Sequence, residues 1–116
     1  MWDEKLTITS VQGAHEGETI LQLNGPITLS TFFGFRDVLR AAKTARTVIL
    51  DFSQVPYVDS AGVGAIVNAH VSRLNAGGRL VLVAVQDRIM TLMKVTRVDE
   101  VLKIYPTLQE AQAATQ

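Results

Sequence analysis

The sequence predicts an α/β fold: a single domain spanning 1–116, with a mixed, mostly parallel sheet, an N-terminal hairpin and about four helices. Two uninterrupted apolar runs, Val48-Ile49-Leu50 and Leu80-Val81-Leu82-Val83-Ala84-Val85, suit central strands covered on both faces. Helical patterns alternate with them, which implies right-handed crossovers between parallel strands. A chain of 116 residues can bury a working core by itself.

In chain order, Leu6 to Val11 alternates apolar and polar residues, as a half-buried strand does. Gly13 to Gly17 is a polar turn holding His15, read as a solvated loop histidine. Thr19 to Leu23 is the antiparallel partner of the first strand, and Asn24-Gly25-Pro26 ends it. Ser30 is placed as the N-cap of a helix reaching about Thr44, with Phe32, Phe35, Val38, Leu39 and Ala42 in one stripe. Phe33 falls off the centre of that stripe, either as an edge-of-core aromatic or as an exposed contact for a protein partner. Val48 to Phe52 is the next strand, and Asp51 near its end suits local hydrogen bonding in the turn.

Ser60 is expected to cap a helix running to Leu74. Helical spacing gathers Val63, Ile66, Val67, His70, Val71 and Leu74 on a core side, with His70 read as a hydrogen-bonded core histidine. The opposite side carries Ala61, Gly64, Ala65, Asn68, Ser72 and Asn75, with no charge and no long side chain. Solvated helix faces are usually rich in Lys and Glu. Such a face either packs under another part of the domain or docks a partner. Asn75-Ala76-Gly77-Gly78 stops the helix, and a strand from Leu80 to Val85 follows. Asp87 is expected to cap a helix from Ile89 to about Thr96, buried through Ile89, Met90 and Met93. Val101 to Tyr105 reads as a short last strand, and Thr107-Leu108-Gln109-Glu110 as a capping box for a final helix.

Eleven acids balance eleven bases, which argues against nucleic-acid binding by bulk charge. The chain has no cysteine, so disulfides and thiolate metal sites are excluded. No stretch reaches the ~18 apolar residues of a membrane span, and no signal peptide is evident behind Met1. The cytoplasm is the expected location. No metal or cofactor is expected.

The stretch richest in chemistry is Val58-Asp59-Ser60-Ala61-Gly62. It lacks the first glycine of a Gly-x-Ser-x-Gly nucleophile elbow. A nucleophilic serine also needs a base, and of the two histidines one sits in the hairpin and one faces the core. Gly62-Val63-Gly64 has no following Gly-Lys-Ser/Thr and is no phosphate loop. No catalytic residue is therefore assigned. Ser60 fits better as an acceptor, because a kinase substrate needs exposure rather than activation, and a helix N-terminus tolerates phosphate.

Tyr57-Val58-Asp59-Ser60-Ala61-Gly62-Val63-Gly64 resembles the Asp-Ser-Ser/Thr-Gly-Leu-Gly signature of the STAS domain, and more narrowly that of bacterial anti-sigma factor antagonists. The opening hairpin, the turn at Gly25, Asp51-Phe52-Ser53 and Gly77-Gly78 extend the likeness over the chain. The resemblance implies a STAS-type fold without enzymatic activity. It makes Ser60 the phosphorylation site and Asp59 its acidic neighbour. The implied partners are an anti-sigma factor that is a serine kinase of the ATPase type, and a serine phosphatase acting on the phosphorylated form. The docking residues are then Asp59, Ala61, Gly62, Gly64, Ala65, Asn68, Thr28 and Phe33. Ala61 replaces a common second hydroxyl, and Thr28 stands where the family's turn usually carries Asp. STAS domains also occur as transporter tails, in stress-signalling assemblies and in lipid-transport complexes, and the alternative reading is a non-phosphorylated structural subunit of such a membrane-transport, lipid-transport or stress-signalling complex. Neither reading involves nucleic acid or direct membrane insertion.

Overall fold

The computed structural model describes residues 5–115. Residues 1–4, part of the stretch read for a signal peptide, and residue 116 lie outside them. Five strands form one sheet in chain order: β1 (Thr7–Gln12), β2 (Glu18–Asn24), β3 (Thr47–Gln54), β4 (Arg79–Val83) and β5 (Lys103–Tyr105). β1 and β2 make the expected antiparallel hairpin, with Ile8 opposite Leu23, and each later pairing is parallel. The helices are α1 (Phe32–Ala41), α2 (Ser60–Asn75), α3 (Asp87–Val95) and α4 (Leu108–Ala114).

The apolar runs are explained by burial on both faces. Leu50, Leu80 and Leu82 join Leu21, Phe35, Ile66 and Met93 in the main core. Their alternates Ile49, Val81 and Val83 face the other way and meet Ala111 of α4. The period-two alternation of a strand separates these two sets.

Several boundaries differ from expectation. Ser30 is not the N-cap of α1. Thr31 takes that position, and its hydroxyl closes the preceding loop instead, donating to the Pro26 carbonyl at 2.9 Å and accepting from the Thr28 N–H at 2.9 Å. α1 ends at Ala41. β4 stops at Val83 because Ala84 turns into the left-handed region at φ 57°. The N-cap of α3 is Gln86, and Asp87 is its first residue. Val98–Glu100 is a 3₁₀ turn, and the Leu102 N–H is spent on the Val98 carbonyl, so the last strand begins at Lys103.

α2 is rotated from its apolar stripe by roughly 70°, counting about 100° per residue. Val63 and Ile66 are buried as expected, but Leu74 is 53% and Val71 45% exposed, while Ala65 is only 6% exposed. Gly62 turns inward, and the stem of Arg73 follows the same side to reach the Lys43 and Ala45 carbonyls at 3.1 and 2.8 Å. Close approach at Gly62 sets the rotation, overriding the larger but solvent-facing Val71 and Leu74. His70 is buried as expected, yet its Nδ1 has no hydrogen-bond partner.

Candidate functional site at the head of α2

Two loops meet at the C-terminal ends of the parallel strands. One leads from β2 to α1 and the other from β3 to α2. Ile27 and Val58 form an isolated parallel bridge. The Ile27 N–H donates to the Tyr57 carbonyl at 3.2 Å, and the Asp59 N–H donates to the Ile27 carbonyl at 3.2 Å. Gly25 adds a bond from its N–H to the Gln54 carbonyl at 3.1 Å.

Asp59, not Ser60, is the N-cap of α2. Its Oδ1 accepts from the Gly62 N–H at 2.8 Å, and its Oδ2 accepts from the Leu29 N–H at 3.1 Å. One carboxylate therefore caps the helix and staples the neighbouring loop to it. Negative charge is favoured at this end of a helix, and charge-assisted bonds are strong. Asp precedes Ser here and is as good a cap, so the assignment depends on which of the two has extended backbone. Capping by Asp59 leaves Ser60 as the first helical residue. Ser60 is exposed, and its hydroxyl has no hydrogen-bond partner among the described residues.

The other flank is held by Gln86, whose side-chain amide donates to the Val55 carbonyl at 2.9 Å and the Ser53 carbonyl at 3.3 Å. Asp51 makes the local turn bond expected of it, accepting from the Ser53 N–H at 2.9 Å. Sequence reasoning missed Leu29 and Gln86, whose partners lie 30 to 33 residues away, and Thr31, whose hydroxyl bonds the nearby Pro26 and Thr28 in place of the expected Ser30 cap. Leu29 is 70% exposed beside Asp59, and that exposure carries no local sequence signal.

The named residues separate into two groups. Ser60, Gly64, Asn68 and Phe33 are exposed, and Asp59 and Ala61 are half-buried. Gly62, Ala65 and Thr28 are buried, so they support the surface from below and offer a partner little area. Phe33 takes the exposed alternative. Its ring meets Phe32 edge-on at 5.3 Å, and the Arg36 guanidinium lies 4.9 Å from its centroid.

Residues 8–111 match the family described as the STAS domain. The chain belongs to the STAS domain family. This STAS chain is 36% identical over 64 residues to a candidate anti-sigma factor antagonist of Thermotoga neapolitana. The matched stretch covers 55% of the chain and spans little more than half, 57%, of that relative. The crystal structure of a candidate anti-sigma factor antagonist from Thermotoga maritima superposes with a TM-score of 0.84 at 24% identity, over 93% of each chain. The crystal structure of a sulfate transporter family protein from Wolinella succinogenes superposes at 0.75 with 25% identity, over 90% of this chain and 88% of that one. The single α/β domain with a mostly parallel five-stranded sheet is thus the STAS fold. No helix among the described residues is long and apolar enough to cross a membrane.

Proposed function

We propose that this STAS domain is an anti-sigma factor antagonist of the bacterial cytoplasm, switched by phosphorylation of Ser60. Unphosphorylated, it docks an anti-sigma factor kinase through the exposed side of α2 and its neighbours, Ser60, Gly64, Asn68 and Phe33, and frees the sigma factor. Phosphorylated, it releases that partner until a serine phosphatase restores the hydroxyl. The domain performs no chemistry of its own. The observation that carries this reading is the exposed, unpartnered hydroxyl at the head of α2, beside a carboxylate already committed to two backbone N–H groups. The name of the Thermotoga neapolitana relative supports it.

The charge arithmetic supports a switch. A phosphate adds about −1.5 to −2 charges at neutral pH. The helix N-terminus stabilises such charge by only ~0.3–2 kcal/mol, and the Asp59 carboxylate opposes it from the adjacent residue. Burying that charge in an interface without a cationic partner costs several kcal/mol, and each ~1.4 kcal/mol is about tenfold in affinity. Ser60→Ala is expected to bind the anti-sigma factor constitutively. Ser60→Asp is expected to bind it roughly a hundredfold more weakly while staying folded. Calorimetry measures the affinities, and circular dichroism checks the fold. Equal binding by the two variants would remove charge at Ser60 as the switch. The likeness to the sulfate transporter family protein then favours the second reading, a non-phosphorylated structural subunit of a transport complex. Under that reading, ATP and the candidate kinase leave Ser60 unmodified.

A further inference from the structure

A groove of about 810 Å³ runs between α1 and α2. Arg36, Arg40, Lys43 and Arg73 line it, and no acidic residue does. In a chain with balanced charge, this is a marked segregation. Arg40 and Lys43 have no ion-pair partner among the described residues. The Arg73 guanidinium is buried against two carbonyl oxygens rather than a carboxylate. The Arg36 Nε is buried with no hydrogen-bond partner, and the Asp37 carboxylate reaches the guanidinium only at 4.0 Å. Between the cations the lining is apolar or small: Phe32, Leu39, Ala65, Ala69 and Val71.

We infer that this groove is the seat of an acidic amphipathic helix of the partner protein. The inference rests on the proposed docking role of α2 and specifies the chemistry of what docks. Arg36 and Arg40 stand about one turn apart on α1, and Lys43 follows in the turn just beyond its end, so the cations are spread along one wall of the groove. Cations spread in this way match several carboxylates along a segment better than one headgroup. The walls are themselves helices, whose ridges accept a third helix, and the small residues of α2 let its backbone come close. Val71 lies about three turns beyond Ser60 on the same side of α2, so the groove continues the surface that carries the acceptor hydroxyl.

The probe is a synthetic peptide of about 14 residues, with Leu at helical spacing and Glu elsewhere, set against the same peptide with Lys for Glu. Both are titrated into the isotope-labelled full chain and followed by amide chemical shifts. The Glu peptide is expected to bind, with shifts at Leu39, Asn68, Val71 and Ser72, and to weaken as salt rises. Arg40→Gln with Lys43→Gln is expected to weaken it roughly tenfold, and Arg40→Glu with Lys43→Glu to transfer the preference to the Lys peptide. Equal binding of the two peptides, no binding of the Glu peptide, or shifts away from the groove would overturn the inference. The same variants then meet the anti-sigma factor. If Ser60→Asp abolishes that binding and the Arg40, Lys43 variants do not change it, the groove assignment fails and the phosphoswitch stands. If Ser60→Asp has no effect while the charge preference of the groove holds, the phosphoswitch fails and the groove stands.

Discussion

Gly62 and Gly64 sit two residues apart on one helix and do opposite things. A Cβ on Gly62 would run into the Ile27 carbonyl oxygen and into Val58 Cγ1 at 2.7 Å, whereas a Cβ on Gly64 would meet nothing within 4 Å. The obstacle at Gly62 is backbone, already tied down by the Asp59 and Tyr57 bonds, so it cannot yield cheaply. Gly62→Ala is expected to destabilise the domain by about 2–4 kcal/mol, through overpacking and loss of the bridge between the loops. Gly64→Ala is expected to stabilise it by about 0.5–1 kcal/mol, because alanine restricts the unfolded chain and suits a helix interior. Urea denaturation of the two variants gives both signs. A neutral Gly62→Ala would mean that the two loops are not locked together as described.

For the element, α2 shows why a hydrophobic stripe does not by itself orient a helix. Val71 and Leu74 belong to the stripe but face solvent, while Gly62, Ala65 and Arg73 are buried. Burial of an aliphatic side chain is non-directional and worth about 1.5–3 kcal/mol, so a helix can give up one or two such contacts. It cannot give up a steric fit against a fixed carbonyl. Leu74→Ala is accordingly expected to cost less than about 1 kcal/mol, and Ile66→Ala about 2–5 kcal/mol. Thermal unfolding of the pair checks the rotation. Similar losses at both positions would return the helix to the orientation its stripe alone implies.

The molecule as a whole is built outward from β3, which pairs with β2 on one side and β4 on the other. Val48, Ile49 and Leu50 are fully buried, facing two cores in alternation. β1 is an edge strand on which every residue but Ile8 is exposed. α4 covers the smaller core with one buried alanine. Stability should therefore be graded. Native-state hydrogen exchange is expected to be slowest in β3 and β4, near the global unfolding limit, and faster in β1 and α4. Equal protection of β1 and β3 would show that the hairpin unfolds only with the whole sheet.

Much was determined by the sequence by itself: the α/β class, the order of strands and helices, the N-terminal hairpin, the doubly covered central strands and the loop that presents Ser60. These follow from local patterns, since apolar runs, helical spacing and turn residues act within a few positions of each other. Tertiary structure alone decided the finer assignments. Asp59 became the cap because its second oxygen found the N–H of Leu29, thirty residues away. α2 turned because Gly62 meets the backbone of Ile27, which local periodicity cannot register. The basic groove exists because the crossover after β2 lays α1 beside α2, bringing Arg40 and Lys43 to face Asn68 and Ser72. Each of these depends on a contact between segments far apart in the chain, and such contacts form only once the sheet has set the distance between them.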